Sequence, residues 1–342
     1  MKILVTGGTG FIGKRLALNL LSHGHEVYLL VRSKSLKSTI PFFTNTPVQF
    51  IEGDIEDSEV IKSEFLEKIP EIDTLIHLAA YYDLKASAED SYKVNVLGTK
   101  NILNLIKKMK ALKFFHYFST YAVNPTLGGV ILENDLTDEK NHFNDFYSKT
   151  KNQAEHLVRA ESLPGVKVSI HRPGIIIGES ESGLMDKTDG PYYFFDFIEK
   201  LKSMPFASFL PFLPLPVPEA SRLNVLPVDI LVEWSSEIIR NPKNHDLRCY
   251  HLVPKESIST LNFLKRALEL MDLPLKILSI NSPWFFTLIF PILGIPKETI
   301  FYLQQKAIFD QGQLKEDYPG LMDRDYQEYL PNIIHAYKMR KN

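Results

Sequence analysis

The sequence contains only one cysteine, Cys249, among its 342 residues. A single thiol excludes an intramolecular disulfide, a cysteine-based zinc cluster and an iron–sulfur site, and it suits a reducing compartment. The chain runs from Met1 directly into a glycine turn, without the long apolar stretch and small-residue cleavage site of a secretory signal. From these absences we expect a cytoplasmic protein that holds no metal.

An excess of charge of one sign is also lacking. The 39 basic residues nearly balance the 41 acidic ones and leave a formal net charge of -2. This balance gives no overall attraction to nucleic acid, so we expect no nucleic-acid partner. Hydrophobic residues make up 44% of the chain and charged residues 23%, which is typical of a protein with a sizeable core.

Proline is scarce in only one half of the chain. Five of the 21 prolines lie in residues 1–172 and sixteen lie in 173–342. In the first half, short apolar runs alternate with amphipathic stretches, as in sequential βα units. Strands are predicted at 2–6, 26–31, 48–51, 74–78, 113–118 and 166–171, and helices at 11–23, 58–69, 91–110 and 147–162. The second half is predicted to be mostly loops, with helices at 228–240 and 260–271 and a strand at 249–253.

This pattern predicts an α/β fold. We expect a Rossmann-type, doubly wound parallel sheet, with a smaller, irregular α/β cap at the carboxyl edge of its strands, where ligands bind in such folds. The boundary is placed after residue 172. Part of the second half, around 222–253, is a candidate to return to the sheet.

A glycine-rich turn lies between the first strand and the first helix. Gly7 allows a tight turn, Gly10 lets the backbone approach a pyrophosphate, and Gly13 lets the helix pack closely on the strand. The helix N-terminus then offers free N–H groups to the diphosphate. Residues 1–172 are therefore assigned to an NAD(P)-binding domain and 173–342 to a substrate-binding cap. The cofactor residues predicted at this turn are Gly7, Thr9, Gly10, Phe11, Ile12 and Gly13.

The cofactor preference is predicted from the end of the second strand. NAD-binding sites usually place an acidic residue there, whereas this chain has Arg32, with Lys34 two residues later. Because these cations favour a 2′-phosphate, we expect NADP(H), with NAD(H) as the alternative. Asp54 and Ile55 follow the third strand, where a side chain can reach the adenine; the alternative role of Asp54 is a helix N-cap.

Tyr147 and Lys151 lie four residues apart at the start of a predicted helix. This spacing puts both side chains on one helical face, so the ammonium can favour the phenolate of a residue whose ordinary pKa is about 10. Thr120 follows the fifth strand, where its hydroxyl can bind a substrate carbonyl. Asn95 could hold a water that connects the lysine to solvent, or be an ordinary polar helix position.

Ordered motifs along about half of the chain resemble the extended short-chain dehydrogenase/reductases. The resemblance implies that Tyr147 is the general acid/base, and that Lys151 lowers its pKa and holds the nicotinamide ribose. It also implies that Thr120 orients the carbonyl, with Ser119 as the alternative. By the same resemblance, Ala79, Ala80 and Pro173 line the cofactor. The motifs are the glycine turn, Gly53-Asp54-Ile55, His77-Leu78-Ala79-Ala80, Asn95-Val96-Leu97-Gly98-Thr99, Ser119-Thr120, Tyr147-Ser148-Lys149-Thr150-Lys151 and Arg172-Pro173-Gly174.

Two uncharged tracts characterise the second half. Residues 204–218 hold five prolines and are predicted to form a stiff, extended apolar loop. Residues 277–296 are long enough to approach a membrane span, but Asn281, Pro283, Pro291 and Gly294 interrupt them. The tracts indicate either core packing of the cap, or a lipid-accepting tunnel with peripheral membrane contact through 204–218 and 284–295.

Residues 172–195 and Leu226-Pro227-Val228-Asp229 resemble the male-sterility and thioester-reductase branch, which includes fatty acyl-CoA reductases. The resemblance implies an NADPH-dependent reductase of a hydrophobic, lipid-like carbonyl substrate, either an acyl thioester or a ketone. We expect no adenylation or carrier domain before the fold, unlike in multidomain members of that branch, and this leaves the thioester open. The alternatives are a nucleotide-sugar epimerase or dehydratase, a 3-hydroxysteroid-type dehydrogenase, and a non-catalytic NAD(P)-binding regulator. A homodimer is a further expectation.

Overall fold

A computed structural model describes residues 1–62, 71–82, 87–186, 188–204, 211–280 and 284–341. Its strands are β1 (Lys2–Thr6), β2 (Glu26–Val31), β3 (Gln49–Glu52), β4 (Thr74–His77), β5 (Phe114–Phe118), β6 (Val130–Ile131), β7 (Lys167–Pro173), β8 (Ile175–Ile177), β9 (Phe212–Leu215), β10 (Arg222–Leu223), β11 (Val225–Pro227), β12 (Leu247–Leu252), β13 (Ile258–Ser259), β14 (Lys276–Ser279) and β15 (Ile308–Phe309). Its α-helices are α1 (Phe11–Ser22), α2 (Ser33–Thr39), α3 (Ala88–Tyr92), α4 (Gly98–Ile106), α5 (Phe146–Ala160), α6 (Tyr192–Lys202), α7 (Val228–Arg240), α8 (Thr260–Leu270), α9 (Trp284–Ile292), α10 (Thr299–Leu303), α11 (Gly312–Asp317) and α12 (Tyr326–Lys341).

The predicted Rossmann-type fold is confirmed by a seven-stranded parallel sheet. Its strand order is β12-β7-β5-β4-β1-β2-β3. The order of strand addition reverses at β1, because β2 and β3 lie on one side of it and β4, β5 and β7 lie on the other. In such open sheets this switch point opens a cleft at the carboxyl ends of the strands. Apolar residues fill the core on both faces of the sheet.

The second half of the chain contributes to this sheet. β12 pairs in parallel with β7, from Leu247 beside Val168 to Leu252 beside Pro173. The strand predicted at 249–253 is thus the edge strand of the central sheet. Helix α7 packs with α1 and the sheet through Val228 and Val232. The division at residue 172 stays a prediction.

The cap is more helical than the sequence indicated. Helices α6, α9 and α12 occupy stretches that were predicted as loops. The first turn of α6 consists of four aromatic residues, 192–195, and the polar stripe of Asp196, Glu199 and Lys200 begins only after it, so the amphipathic pattern is short. Helix α12 contains Pro331, which argues against a helix by itself but is tolerated among buried Leu330, Ile333 and Ile334.

Other predicted elements shift at their ends. In the helix predicted at 58–69, residues 58–61 form bends instead of a helix, and 63–69 lie outside the described residues. The helix predicted at 91–110 begins earlier, in α3, and passes through a π-helical turn at Lys93–Leu97 before α4. In the tract 204–218, β9 pairs in parallel with β14, and residues 205–210 lie outside the described part. Within the described ranges, no helix is long and apolar enough to cross a membrane.

Candidate functional site

The glycine turn closes tightly against the loop after β4. Gly7 has φ +72°, and a Cβ there would overlap the backbone of Ala79. A Cβ on Gly13 would overlap the Gly7 carbonyl. At Gly10 an added Cβ would meet only the Gly7 carbonyl oxygen, at 3.3 Å, so this residue leaves its outer side open. No side chain caps the N-terminus of α1. This cradle therefore fits a diphosphate on the backbone N–H groups.

A cavity of about 550 Å³ lies beside this turn. It brings together many of the residues predicted from sequence. Lys34 is not among the lining residues and lies exposed on α2. The Asp54 carboxylate also accepts the backbone N–H of Glu56 at 3.1 Å, in a local turn. The predicted residues in the lining are Gly7, Thr9, Gly10, Arg32, Asp54, Ile55, Ala79 and Ala80.

Charged neighbours of Arg32 were missed from sequence. The Arg32 guanidinium lies 3.7 Å from the Glu56 carboxylate, which also pairs with the Lys93 ammonium at 2.8 Å. Glu56 and Lys93 both line this cavity. Lys93 comes from the turn before α4, so no local spacing in the sequence relates it to Arg32.

A second cavity, of about 500 Å³, holds the predicted catalytic residues. Thr120, Tyr147 and Lys151 all line it, together with Gly7, Gly10, Phe11, Ile12, Gly13, Ala80 and Pro173 from the predicted cofactor set. Helix α5 carries Tyr147 in its first turn because Asp145 caps the helix and accepts the Ser148 backbone N–H at 2.6 Å. We call this space the main cavity.

The Lys151 ammonium contacts the end of β5. It donates to the Phe118 carbonyl at 2.6 Å and lies 4.3 Å from the centre of the Tyr117 ring. Burial lowers the pKa of Lys151 to about 7, while the Glu155 carboxylate acts in the opposite direction. A lysine that titrates near neutrality can change its charge during a proton-transfer cycle.

Tyr147 is half-buried, and its side chain lines the main cavity. Burial is the main cause that raises its pKa well above the usual value, and the Asp145 carboxylate adds to this effect. Hydrogen bonding to the Thr120 side chain lowers the pKa. The predicted lowering by Lys151 stays a prediction.

Ser119 and Thr120 have different surroundings. The Ser119 hydroxyl donates to the Glu155 carboxylate at 2.6 Å within the core. Glu155 in turn pairs with the buried Arg172, with Nη2 to Oε1 at 2.6 Å, and with Arg159 at 2.8 Å. Although burial would raise it, the pKa of Glu155 is held at about 2 by Arg172, Arg159 and Ser119. Ser119 therefore belongs to a structural network in the core. Thr120, in contrast, interacts with the Tyr147 phenol.

The chain matches a known protein family over most of the nucleotide-binding region. The family model described as "Male sterility protein" covers residues 5–234, more than half of the chain. The chain belongs to this family. It is thereby a member of the extended short-chain dehydrogenase/reductases, which are NAD(P)-dependent oxidoreductases. The predicted recognition of this branch is confirmed.

Individual relatives match about half of the chain. A "3 beta-hydroxysteroid dehydrogenase/Delta 5-->4-isomerase" of Mycobacterium tuberculosis is 32% identical over 196 residues, which are 54% of this chain and 50% of that protein. A "4-hydroxy-2-methyl-3-oxo-4-farnesyl-3,4-dihydroquinoline-1-oxide ketoreductase" of Stigmatella aurantiaca is 30% identical over 187 residues, or 54% and 53%. The chain thus spans about half the length of these curated relatives.

A solved structure matches nearly the whole fold. The terminal R domain from the myxalamid PKS-NRPS biosynthetic pathway has a TM-score of 0.80, covering 99% of this chain and 91% of that domain, at 23% identity. At this identity the likeness shows the fold alone.

In this member of the male-sterility family, Asn95 holds the loop after β4 against α5. Its side-chain oxygen accepts the Tyr81 N–H at 2.8 Å, and its amide donates to the Thr150 hydroxyl at 3.0 Å and to the Tyr81 carbonyl at 3.2 Å. Asn95 is buried and lines neither cavity. Its water-holding role stays a prediction.

The loop after β4 and the cap contribute residues to the catalytic region that sequence reasoning missed. The Tyr82 ring lies edge-on to the Tyr147 ring, with centroids 4.8 Å apart. The Tyr302 hydroxyl, on α10, donates at 3.0 Å to the carboxylate of Asp145, the residue that caps the N-terminus of α5. The cap also contributes apolar lining residues, which are Phe194, Leu215, Leu223, Phe263, Leu264, Phe290 and Leu303. Their contacts join segments far apart in the chain, so no local motif marks them.

Proposed function

We propose that this chain is an NADPH-dependent reductase of a hydrophobic, lipid-like carbonyl compound, either an acyl thioester or a ketone. The observation that carries this proposal is the main cavity. Its lining combines Thr120, Tyr147, Lys151 and the glycine turn with aromatic and aliphatic side chains of the cap. Such walls favour an apolar chain over a sugar diphosphate, because its charged phosphates would lose their hydration there.

Thr120, Tyr147 and Lys151 have distinct tasks in this reaction. When bound, the nicotinamide supplies a hydride to the carbonyl carbon. Thr120 orients the substrate oxygen by a hydrogen bond. Tyr147 gives its phenolic proton to that oxygen as negative charge develops there. Lys151, with a pKa near 7, then supplies a positive charge or a proton close to the phenol.

The preference for NADP(H) over NAD(H) rests on Arg32. Its guanidinium lines the cavity beside the glycine turn. It lies 3.7 Å from the Glu56 carboxylate, which orients it but is too far for a tight ion pair. We expect NADPH to bind more tightly than NADH, and Arg32→Ala to weaken NADPH binding by about tenfold or more while NADH binding changes little. Fluorescence titrations of both cofactors measure this. Equal loss for both cofactors would remove Arg32 from phosphate recognition.

The substrate is tested by following NADPH oxidation through the loss of its absorbance, across long-chain acyl-CoAs, alkyl ketones, steroids, and UDP- or dTDP-sugars. We expect turnover only with the apolar compounds. A 3-hydroxysteroid-type substrate is a second candidate, since the Mycobacterium tuberculosis relative named for that activity is 32% identical over its matched part. Turnover of a sugar nucleotide without any lipid turnover would contradict the proposal.

A further inference from the structure

Helix α9 presents an uncovered apolar face in the cap. Trp284 is 66% exposed, Leu288 63% and Ile292 84%, and Phe285 beside them is 48% exposed. The opposite face of the helix is buried in the cap core. No charged residue occurs in the tract 277–296. Large apolar side chains clustered in this way mark a contact surface.

Lysines accompany this apolar face. The Lys200 ammonium donates to the Leu293 carbonyl at 3.0 Å, just beyond the C-terminus of α9. Exposed Lys276 and Lys297 flank the uncharged tract in the sequence. Positive charge beside an apolar face is complementary to an anionic lipid surface. A symmetric contact with a second copy of the chain would instead bring these lysines toward one another.

The same helix also borders the main cavity. Phe290, on the buried face of α9, and Ile295, just after it, both line that space. Helix α9 therefore stands between the main cavity and its own exposed side chains, Trp284, Leu288 and Ile292. A lipid surface against this face would lie next to the compartment that the apolar substrate has to enter.

We propose that α9 is a monotopic membrane contact, which lies in the headgroup region of an anionic lipid surface and gives the main cavity access to lipid. Its nine residues span only about 14 Å as a helix, about half of the hydrocarbon thickness, so it lies on the membrane without crossing it. The docking itself is independent of the reaction, whereas the delivery of substrate rests on the proposed function.

Sedimentation of the full chain with vesicles tests the docking. The vesicles are phosphatidylcholine alone and phosphatidylcholine mixed with phosphatidylglycerol. We expect the wild type to bind the mixed vesicles, and Trp284→Ser with Leu288→Ser to lower the partition coefficient by at least about tenfold. Met322→Ser with Met339→Ser, which changes two exposed side chains elsewhere, should have no effect. Lys276→Glu with Lys297→Glu should weaken binding only to the mixed vesicles, by about fivefold for each lysine.

Three results would overturn this docking. The wild type could fail to bind either vesicle, or the Trp284→Ser, Leu288→Ser variant could bind as well as the wild type. Light scattering could instead show a wild-type dimer that this variant loses, with no vesicle binding, which would assign the face to a second copy. Retained NADPH binding shows that the variant is folded. Vesicle binding as expected, without reduction of any lipid carbonyl, would support the docking and count against the proposed function alone.

Discussion

At the scale of single residues, the structure separates two side chains that sequence reasoning had placed in one role. Ser119 and Thr120 are adjacent and both carry hydroxyls, but Ser119 is bound to Glu155 in the core, at 2.6 Å, whereas Thr120 interacts with the phenol. The spacing of Tyr147 and Lys151 predicted that both would face one cavity, and both line it. The hydrogen bond from Lys151 to the Phe118 carbonyl had no signal in the sequence, because it joins a helix to a strand end 33 residues earlier.

Tyr147→Phe tests the proton donor. Removing only the phenolic oxygen keeps the ring and its contact with Tyr82, so NADPH binding and folding should be retained. Turnover should fall by about 10²- to 10⁴-fold, the usual contribution of a general acid. Steady-state NADPH oxidation and a cofactor titration on the same sample measure both effects. Near-normal turnover would remove Tyr147 from its role.

The lowered pKa of Lys151 predicts a dependence of stability on pH. Below about pH 7 the side chain is protonated in the folded and the unfolded protein, so the full cost of burying the charge applies. Between about 7 and the unfolded value of 10.5, the unfolded chain holds a proton that the folded chain has released. The free energy of unfolding should therefore rise with pH in this window, by up to about 1.4 kcal/mol per pH unit.

Lys151→Met provides the comparison for this pH effect. Urea unfolding of cofactor-free protein measures both between about pH 7 and 9. The free energy of unfolding of the wild type should rise with pH relative to that of this variant. A difference that stays constant over this range would mean that Lys151 keeps its proton in the folded protein.

At the scale of elements, the buried parallel strands were predicted well and the cap helices poorly. β1 and β2 have the predicted bounds, because central strands covered on both faces are short continuous apolar runs. Helices α6 and α9 lack this kind of signal, since aromatic residues occur on nearly all sides of each helix. Contacts such as Tyr302 to Asp145, 157 residues apart, depend on how the cap folds back and have no local motif.

The ion pair beneath the catalytic helix gives a prediction at this scale. Glu155 of α5 and Arg172 of β7 are both buried and bonded to each other. Arg172→Met should leave the buried Glu155 carboxylate with only Arg159 and Ser119 as partners and reduce the free energy of unfolding by about 3 kcal/mol, whereas Glu155→Leu with Arg172→Met should restore much of the loss. Urea denaturation of the two variants measures this. If Arg172→Met and the double variant had the same free energy of unfolding, the pair would not be needed for charge compensation.

At the scale of the whole molecule, the uneven distribution of proline corresponds to a difference in task. The proline-poor half forms six of the seven sheet strands and the glycine turn, and the second half supplies the edge strand, the apolar cavity walls and the exposed face of α9. The fold class and most of the polar site could be predicted from sequence because they depend on local motifs. The shape of the substrate space depends on long-range packing and required the structure.

The most direct test of the proposed reaction follows the hydride itself. NADPH carrying deuterium at the transferring position of the nicotinamide would be incubated with a long-chain acyl-CoA or alkyl ketone, and the product would be analysed by mass spectrometry. The account predicts deuterium on the former carbonyl carbon with the wild type, in proportion to the NADPH oxidised, and almost none with Tyr147→Phe. Conversion of a sugar nucleotide without net oxidation of NADPH, and with no deuterated lipid product, would contradict it.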